Sequence, residues 1–319
     1  MRILVVVPPS QQAIDQANQM SGLFTGHEIQ VAVTAEEQNR HLSEADILLS
    51  NAFVPVTAED LRGAKNLRFI QVLGVGVDHV DLAAAKAHGI VVADVAGANS
   101  TSVAEHVILS LLCLYRPILS SHMAIQNGQW PLAQWLNQAE DLTGKTIGIV
   151  GMGRIGRELA RRLIPFAIGL VYNDVVRLPE EAESELGVSY VDKSDLLAIS
   201  DAVTLHLPYT KETHHFMDRE AFRLMQPGSV LVNAARAELV DQVALAEALQ
   251  SHLRGAALDV FSPEPPNPGD PMLKLPNVLL TPHGAGTTKQ AQEQIAKRAL
   301  QNVLRFVDGR SLEDVVVQP

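Results

Sequence analysis

Side chains able to do acid–base chemistry follow several predicted strands at the point where each strand ends. Arg236 and His283 each come shortly after an apolar run, and Asp259 closes a third run with Glu264 five residues later. Singly, Arg236 can be explained as a surface charge, Glu264 as a solvated loop acid and His283 as a turn residue bonded to backbone. Jointly, a fixed cation, an acid and an imidazole can bind an anionic group and exchange a proton with it. Because the carboxyl ends of parallel strands meet at one edge of a sheet, we expect these side chains to converge there.

A glycine motif must organise that edge. The apolar stretch Thr146–Val150 predicts a buried parallel strand, and it runs directly into Gly151-x-Gly153-x-x-Gly156. Gly151 permits a tight turn, Gly153 lets a pyrophosphate approach the backbone, and Gly156 lets the next helix pack closely on the strand. That helix starts near Arg154, so its positive dipole end and its N–H groups face the phosphate. A lone motif of this type is weak, but a strand before it and a helix after it predict dinucleotide binding.

The acid expected on the cofactor's ribose is Asp174, at the end of the next predicted strand and eighteen residues after Gly156. A dinucleotide fold places a carboxylate here to accept hydrogen bonds from the adenosine ribose hydroxyls. Asp174 would repel the 2′-phosphate of NADP, and Val175 and Val176 provide no compensating cation. Only Arg177, the following residue, could offset that repulsion. We therefore predict NAD as the cofactor.

Composition limits the remaining possibilities. At 319 residues, with 47% hydrophobic and 19% charged residues, the chain is long enough for two globular domains. No apolar run approaches the roughly eighteen residues of a membrane span, and residues 1–7 predict a strand rather than a secretory leader. The single cysteine, Cys113, excludes an intramolecular disulfide, and the net charge of −11 disfavours nucleic acid and anionic membranes as partners. No HExxH or Cys/His spacing indicates a metal site, so we expect a cytoplasmic protein that binds no metal.

Short β-rich runs alternate with helical patterns, which predicts α/β layers with parallel sheets. We expect strands at residues 3–7, 29–33, 47–49, 69–73, 90–93, 146–150, 168–172, 202–205, 229–232, 255–260 and 278–280. A long apolar helix should begin after Asn99 with Ser100 or Thr101 as its cap. An amphipathic helix should cover residues 287–307 and return to the first domain.

Residues 120–143, which we call the arm, interrupt this alternation. The arm holds Trp130 and Trp135, the two tryptophans of the chain. Large aromatic residues in such an excursion indicate either a packed flap or a subunit contact.

Six stretches carry a resemblance to a known family: LGVGVDHVD, ANSTSVAEH, GMGRIGRELA, NAARAELVD, GAALDVFSPEP and LLTPHGAGTT. Over essentially its full length the chain resembles the D-isomer specific 2-hydroxyacid dehydrogenases. The resemblance implies an α/β fold with two doubly wound parallel-sheet domains. A Rossmann NAD-binding domain, residues 100–286, would be inserted in a flavodoxin-like substrate-binding domain, residues 1–99 plus 287–319. It also implies a homodimer in which the arm embraces the partner and brings a tryptophan to or near the partner's active site.

The resemblance implies a role for each site residue. Arg236, Glu264 and His283 would form the catalytic trio, and the substrate carboxylate would meet the amides of Val75 and Gly76 beside Arg236 and His283. The implied cofactor contacts are Gly151, Gly153, Arg154, Ile155, Gly156, Asp174, His206, Pro208, Ala234, Ala235, Asp259 and Gly286.

Some of these contacts have a more specific assignment in the family. The amides of residues 154–155 would contact the pyrophosphate, Asp259 the nicotinamide carboxamide, and His206 would line the adenine side. The family usually has glycine after the catalytic arginine and a larger apolar residue after the histidine, where this chain has Ala237 and Gly284. Neither departure removes a reacting group, although we expect Gly284 to loosen the histidine.

These implications describe an NAD-dependent oxidoreductase that transfers a hydride between nicotinamide and a small 2-hydroxy or 2-oxo acid. His283 would protonate the carbonyl oxygen, Glu264 would hold the imidazole, and Arg236 would orient the carboxylate. An interpretation of another class stays open, because NAD(H)-sensing corepressors resemble this fold and bind the dinucleotide mainly to assemble with partners. Steady-state oxidation of NADH with a 2-oxo acid separates the enzyme from the sensor.

The loop after the third strand bears on the substrate. In relatives that act on 3-phosphoglycerate this loop brings an arginine to the phosphate, whereas here it reads SNAFVP, residues 50–55, and has no cation. We expect Phe53 and Val54 to form an apolar wall, and the chain ends at Pro319 without the regulatory extension of many phosphoglycerate enzymes. Glyoxylate, hydroxypyruvate or a similar acid is therefore favoured, with 3-phosphoglycerate as the alternative. Formate is disfavoured because formate dehydrogenases carry glutamine where this chain has Glu264.

Overall fold

The computed structural model describes residues 1–7, 9–11, 14–15, 17–18, 24, 26–51 and 54–318. The chain splits into two compact units. The first unit comprises Met1–Asn99 and Lys289–Pro319, and the second is the continuous segment Ser100–Thr288. The first unit is therefore built from two separate pieces of chain.

Strands and helices alternate along both units. The strands are β1 (Arg2–Val6), β2 (Glu28–Ala32), β3 (Ile47–Ser50), β4 (Phe69–Val72), β5 (Val91–Ala93), β6 (Thr146–Val150), β7 (Gly169–Asn173), β8 (Val188–Tyr190), β9 (Ala202–Leu205), β10 (Val230–Asn233), β11 (Gly255–Leu258), β12 (Val278–Leu280) and β13 (Val315–Val317). The α-helices are α1 (Ala35–Leu42), α2 (Ala58–Gly63), α3 (Leu82–Ala87), α4 (Ser100–Tyr115), α5 (Ile118–Gln126), α6 (Leu132–Gln138), α7 (Arg154–Leu163), α8 (Glu180–Leu186), α9 (Lys193–Ile199), α10 (Arg219–Leu224), α11 (Gln242–Ser251) and α12 (Lys289–Val307). Every strand expected from the sequence is present, with its ends within two residues of the prediction.

The described residues of the first unit form a six-stranded sheet in the order β13-β5-β4-β3-β1-β2. Strands β1 to β5 pair in parallel, which confirms the predicted doubly wound α/β class. Strand β13 was not predicted and pairs antiparallel with β5, joining Val315 to Ala93. Helix α12 packs on this sheet, where Phe306 stacks on Phe69 with ring centroids 4.9 Å apart. The two chain segments of the unit thus share one core.

The loop after β3 differs from the sequence-based expectation. Phe53 lies outside the described residues. Val54 is only 6% exposed and packs in the core of the first unit, so the prediction that it forms an apolar wall is wrong. Burial in the core stabilises this side chain more than exposure to a ligand pocket would.

In the second unit the described residues form a seven-stranded parallel sheet in the order β12-β11-β10-β9-β6-β7-β8. Strand β9 lies in the middle with β6 beside it, and the strand order reverses between β6 and β9. The carboxyl ends of strands at such a reversal form the crevice where open α/β sheets bind ligands. Strand β8 was not predicted, because three residues at the sheet edge carry too little pattern.

Helix α4 begins at Ser100, the first of its two expected caps. Ser100 is its first residue, and the buried Ser100 hydroxyl has no hydrogen-bond partner among the described residues. The Thr101 hydroxyl donates to Glu158 on α7 rather than accepting from the helix backbone. The prediction that Ser100 or Thr101 caps the helix is therefore wrong, because both residues belong to the helix and neither hydroxyl accepts a hydrogen bond from its backbone.

The arm contains α6 and most of α5 and exposes a row of apolar side chains. Trp130 is 78% and Leu136 is 79% exposed, and further exposed apolar residues are Met123, Ile125 and Leu132. Trp135 is half-buried, and its indole N–H donates to the Ser121 hydroxyl at 2.6 Å. The arm thus packs on itself through Trp135 while leaving an uncovered apolar face.

Among the described residues, we find no single helix with the length and apolar composition needed to cross a membrane. The consecutive pair α4 and α5 reaches that length and composition jointly but is bent by 65°.

Candidate active site

Three neighbouring parallel strands bring the polar side chains to one edge of the second sheet. Arg236 follows β10, Asp259 follows β11 and His283 follows β12, and these strands are paired in that order. A cavity of about 260 Å³ lies at this edge, and Arg236, Glu264 and His283 are among the residues that line it. The structure therefore places a guanidinium, a carboxylate and an imidazole around one space.

His283 and Glu264 form a direct pair. The ring Nδ1 lies 2.8 Å from Oε2 of Glu264, and the other carboxylate oxygen accepts the backbone N–H of Phe261 at 2.9 Å. Since an ionised carboxylate can only accept, Nδ1 carries the proton of this hydrogen bond. The remaining ring nitrogen, Nε2, makes no hydrogen bond to any of the described residues. This arrangement leaves Nε2 as the nitrogen that can exchange a proton with a substrate.

The backbone around His283 is held by Asp259. The residue has a left-handed φ of 52°, and its N–H donates to the carbonyl of Asp259 at 2.7 Å. The Asp259 carboxylate, in a residue only 2% exposed, accepts the Thr281 hydroxyl at 2.6 Å and the N–H groups of Gly284 and Ala285 at 2.8 and 2.9 Å. Asp259 thus anchors the segment that carries the imidazole. This structural role was not predicted from the sequence. Its expected contact with the nicotinamide carboxamide remains a prediction.

Arg236 sits at the end of a short turn shaped by Asn233. The buried Asn233 side chain accepts the N–H of Ala235 at 3.1 Å and donates to the carbonyl of Arg236 at 2.8 Å. The Arg236 guanidinium also donates to the carbonyl of Ala235 at 2.8 Å. Ala234 and Ala235, expected cofactor contacts, lie in this turn, half-buried. Asn233 was not predicted as a site residue. The sequence feature that could have indicated it is an amide side chain at the end of an apolar strand.

The two departures from the family pattern are accommodated. Ala237 opens a buried single turn of 3-10 helix next to Arg236. A Cβ placed on Gly284 would meet no described atom within 4 Å. The Gly284 backbone is held by Asp259, so the expected loosening of the histidine is countered by this hydrogen bond.

The glycine motif joins β6 to α7 with close backbone contacts. Gly151 has a φ of +94°, and a Cβ placed on it would lie 2.8 Å from the backbone of His206. A Cβ on Gly156 would lie only 2.2 Å from the carbonyl oxygen of Gly151. By contrast, a Cβ on Gly153 would meet no described atom within 4 Å, and no described side chain caps α7 at this residue. The open Gly153 backbone and the helix N-terminus, with Arg154 and Ile155 first in the helix, fit a pyrophosphate.

Asp174 follows β7 and is fixed beside the glycine loop. Its carboxylate accepts the N–H of Met152 at 2.6 Å and that of Val176 at 3.1 Å. Val175 is 99% exposed next to it. Arg177 makes two hydrogen bonds to Glu183, each 2.9 Å long, and this guanidinium lowers the pKa of Glu183 to about 2. The only cation close in sequence to Asp174 is therefore already paired.

His206 and Pro208 follow β9, next to β6. The His206 N–H donates to the Val150 carbonyl at 2.7 Å, and its ring Nε2 lies 3.1 Å from the Thr204 hydroxyl. Burial lowers the pKa of His206 to about 4, so the imidazole is neutral at pH 7. A neutral imidazole is compatible with the expected position beside the adenine, whereas it could not bind an anion as a cation would.

The other predicted contacts lie further apart along the chain. Gly286 is in the turn after the His283 segment, and Val75 and Gly76 are in the loop after β4 of the first unit. We found no group of three or more potential metal ligands in the part of the chain that is described. His214 and His215, which would face apart in an extended chain, instead stack with ring centroids 3.9 Å apart because His215 has a φ of 52°.

Comparison with known proteins identifies the family. Residues 108–285 match the model of the "D-isomer specific 2-hydroxyacid dehydrogenase, NAD binding domain". The chain is 37% identical to the D-3-phosphoglycerate dehydrogenase of Archaeoglobus fulgidus, over 100% of this chain and 60% of that protein's length. It is 37% identical to the glyoxylate reductase of Korarchaeum cryptofilum, over 87% of this chain and 84% of the relative.

A solved structure extends the match to the fold. The NAD-dependent formate dehydrogenase from Staphylococcus aureus, in complex with NAD, superposes with a TM-score of 0.88 and 35% identity, covering 99% of each chain. The family, the enzyme class and the NAD cofactor expected from the sequence are confirmed by these matches. The chain thus belongs to the D-isomer specific 2-hydroxyacid dehydrogenases, a family of NAD-dependent oxidoreductases.

Proposed function

We propose that this chain reduces small unphosphorylated 2-oxo acids, of the glyoxylate or hydroxypyruvate type, to D-2-hydroxy acids. The observation that carries the proposal is the shared cavity of Arg236, Glu264 and His283 at the carboxyl edge of the second sheet. A relative named glyoxylate reductase, 37% identical, supports the choice of substrate.

The chain's own residues divide the work around the reacting carbonyl. Bound NADH supplies the hydride. Nε2 of His283 donates the proton to the carbonyl oxygen, while Glu264 holds Nδ1 and stabilises the charged imidazole before the transfer. Arg236 binds the substrate carboxylate and polarises the carbonyl.

Residues of the second unit hold the cofactor in this proposal. The first-turn amides of α7, at Arg154 and Ile155, bind the pyrophosphate, and Asp174 accepts from the ribose hydroxyls. His206, Pro208, Ala234, Ala235 and Gly286 line the remaining length of the dinucleotide. Among the described residues, Oδ2 of Asp259 accepts a hydrogen bond only from the N–H of Ala285, so it has a second lone pair for the carboxamide.

A panel of acids tests the substrate. We expect kcat/KM with NADH to be at least about tenfold higher for glyoxylate or hydroxypyruvate than for 3-phosphohydroxypyruvate, because a phosphate without a cation loses several kcal/mol of solvation. Formate with NAD should give no turnover. Higher efficiency with the phosphorylated acid would refute this assignment of the substrate. Absence of turnover with every acid would refute the enzyme and favour the sensor.

Asp174 tests the choice between NAD and NADP. The variant Asp174→Ala should lower kcat/KM for NADH about tenfold and raise that for NADPH, because it removes the ribose acceptor and the repulsion of a 2′-phosphate. Kinetics with both cofactors give the ratio. Asp192→Ala removes the same charge at an exposed position after the neighbouring strand β8 and should leave the ratio unchanged. Equal or better use of NADPH by the unaltered protein would contradict the prediction.

The arm supports a homodimer. Trp130 and Leu136 on its apolar face are both more than three-quarters exposed. Contact with the surface of a second subunit would remove these side chains from water. We expect sedimentation at micromolar concentration to give a dimer and Leu136→Glu to give a monomer. Leu224→Glu, an equal change at an exposed residue of α10, should keep the dimer. A monomeric unaltered protein would exclude this assembly.

A further inference from the structure

A histidine outside the predicted site lies behind the segment that carries His283. His106 is on α4, its side chain is 16% exposed, and its Nε2 lies 3.3 Å from the Thr281 hydroxyl. The same nitrogen is 4.0 Å from the nearer carboxylate oxygen of Asp259. His106, Thr281 and Asp259 thus form a row that starts on a helix and ends at the site.

Counting protons fixes the direction of the hydrogen bonds along this row. The Thr281 hydroxyl has one proton, and it donates that proton to Oδ1 of Asp259 at 2.6 Å. An ionised carboxylate has none to give back. The contact between His106 and Thr281 is therefore a hydrogen bond in which Nε2–H of His106 donates. Hydrogen bonds aligned in one direction polarise one another, so the imidazole strengthens the bond from Thr281 to Asp259.

The row ends at the backbone of residues 283–285, which carries the His283 side chain. Asp259 accepts the N–H of His283 at its own carbonyl and the N–H groups of Gly284 and Ala285 at its carboxylate. His283 has a left-handed φ of 52°, a conformation that is uncommon for residues other than glycine. The orientation of the Asp259 carboxylate consequently contributes to the position of the imidazole, together with the hydrogen bond to Glu264.

We propose that His106 is a positioning residue, which acts through Thr281 and Asp259 to keep His283 in its reactive position. This inference rests on the proposed function, because its readout is reduction of a 2-oxo acid. His106 itself touches neither substrate nor cofactor in this scheme.

Variants of His106 and Thr281 test the row. We expect His106→Leu to lower kcat for glyoxylate or hydroxypyruvate about tenfold, since small displacements of a catalytic group lower rates strongly. NADH affinity, measured by fluorescence titration, should fall much less than kcat, because Asp259 is the only proposed cofactor contact that belongs to this row. His106→Gln, whose amide can donate to Thr281, should restore most of the rate. His252→Gln removes an imidazole that, within the described part of the chain, bonds only to Ser251 and the Phe222 carbonyl, and it should have no effect on kcat.

A double-mutant cycle makes the test decisive. If His106 acts through the Thr281 hydroxyl, His106→Leu should lower kcat less than about twofold in a Thr281→Val background. The proposal would be overturned if the double variant lost kcat by the product of the two single-variant losses. It would also be overturned if His106→Leu left kcat unchanged or weakened only NADH affinity. Thermal unfolding of each variant shows whether a loss of rate merely reflects a loss of folded protein. An unaltered protein that does not turn over would refute the proposed function instead, whereas an active protein insensitive to His106 would refute only the row.

Discussion

Replacing His283 with Gln should lower kcat for the 2-oxo acid by about 10²- to 10⁴-fold, the contribution of a general acid. The structure offers one imidazole nitrogen at the cavity, because Nδ1 is committed to Glu264 at 2.8 Å. Glutamine keeps a polar side chain of similar length but cannot transfer a proton at neutral pH. Steady-state kinetics with NADH and hydroxypyruvate measure the loss, and fluorescence titration should show NADH affinity nearly unchanged.

A second variant separates proton transfer from orientation. Glu264→Gln keeps a hydrogen-bond acceptor near Nδ1 but removes the charge that stabilises the imidazolium, so its loss in kcat should be smaller than that of His283→Gln. His88→Gln, at an exposed position at the end of α3, is a histidine control for the assay. A His283→Gln protein that retains more than about a tenth of the activity would show that another group supplies the proton.

The second large effect is expected at Gly156. A Cβ at this residue would lie 2.2 Å from the Gly151 carbonyl oxygen, so Gly156→Ala must push α7 away from the turn that follows β6. Alanine would normally stabilise a helix interior, but forced overpacking lowers the free energy of unfolding by about 1–3 kcal/mol. NADH affinity should fall about a hundredfold because the pyrophosphate amides move by a fraction of an ångström or more. Thermal or denaturant unfolding and NADH titration measure the two effects.

Gly153 provides the matched comparison. A methyl group there meets no described atom within 4 Å, and the backbone, with φ −73° and ψ −155°, suits any residue. Gly153→Ala should change the free energy of unfolding by no more than about 1 kcal/mol, the range of an N-cap substitution. It should nevertheless weaken NADH binding, since the methyl occupies the space of the pyrophosphate. Equal destabilisation by the two substitutions would mean that close packing is not special to Gly156.

The sequence specified much of the fold because its strands and glycine turns are local patterns. The stretch from Thr146 through Gly156 predicts strand, turn and helix where the structure has β6 and α7. Apolar runs of four or five residues correctly predicted most of the other parallel strands. Strands β8 and β13 were missed because each has three residues at a sheet edge, where pairing rather than pattern decides the structure.

The site was predictable to the extent that its residues follow strands. Arg236, Glu264 and His283 could be named because parallel strands end at one edge. The anchoring role of Asp259 and the hydrogen-bonded row that starts at His106 could not be predicted from the sequence. The contact between His106 and Thr281, for example, joins residues 175 positions apart. The burial of Val54 could not be predicted either, since a valine in an irregular loop has no periodic neighbours that show which way it faces.

The division of the first unit into two chain segments determines how its sheet is completed during synthesis. Strands β1 to β5 leave the ribosome first, yet β13, which covers the edge of β5, is made about two hundred residues later. Until then the newly made chain exposes the unpaired edge of β5, a surface prone to join other chains. The continuous second unit contains all seven of its described strands before α12 is made and can fold first. The sheet of the first unit is therefore complete only after the whole second unit and α12 have been made.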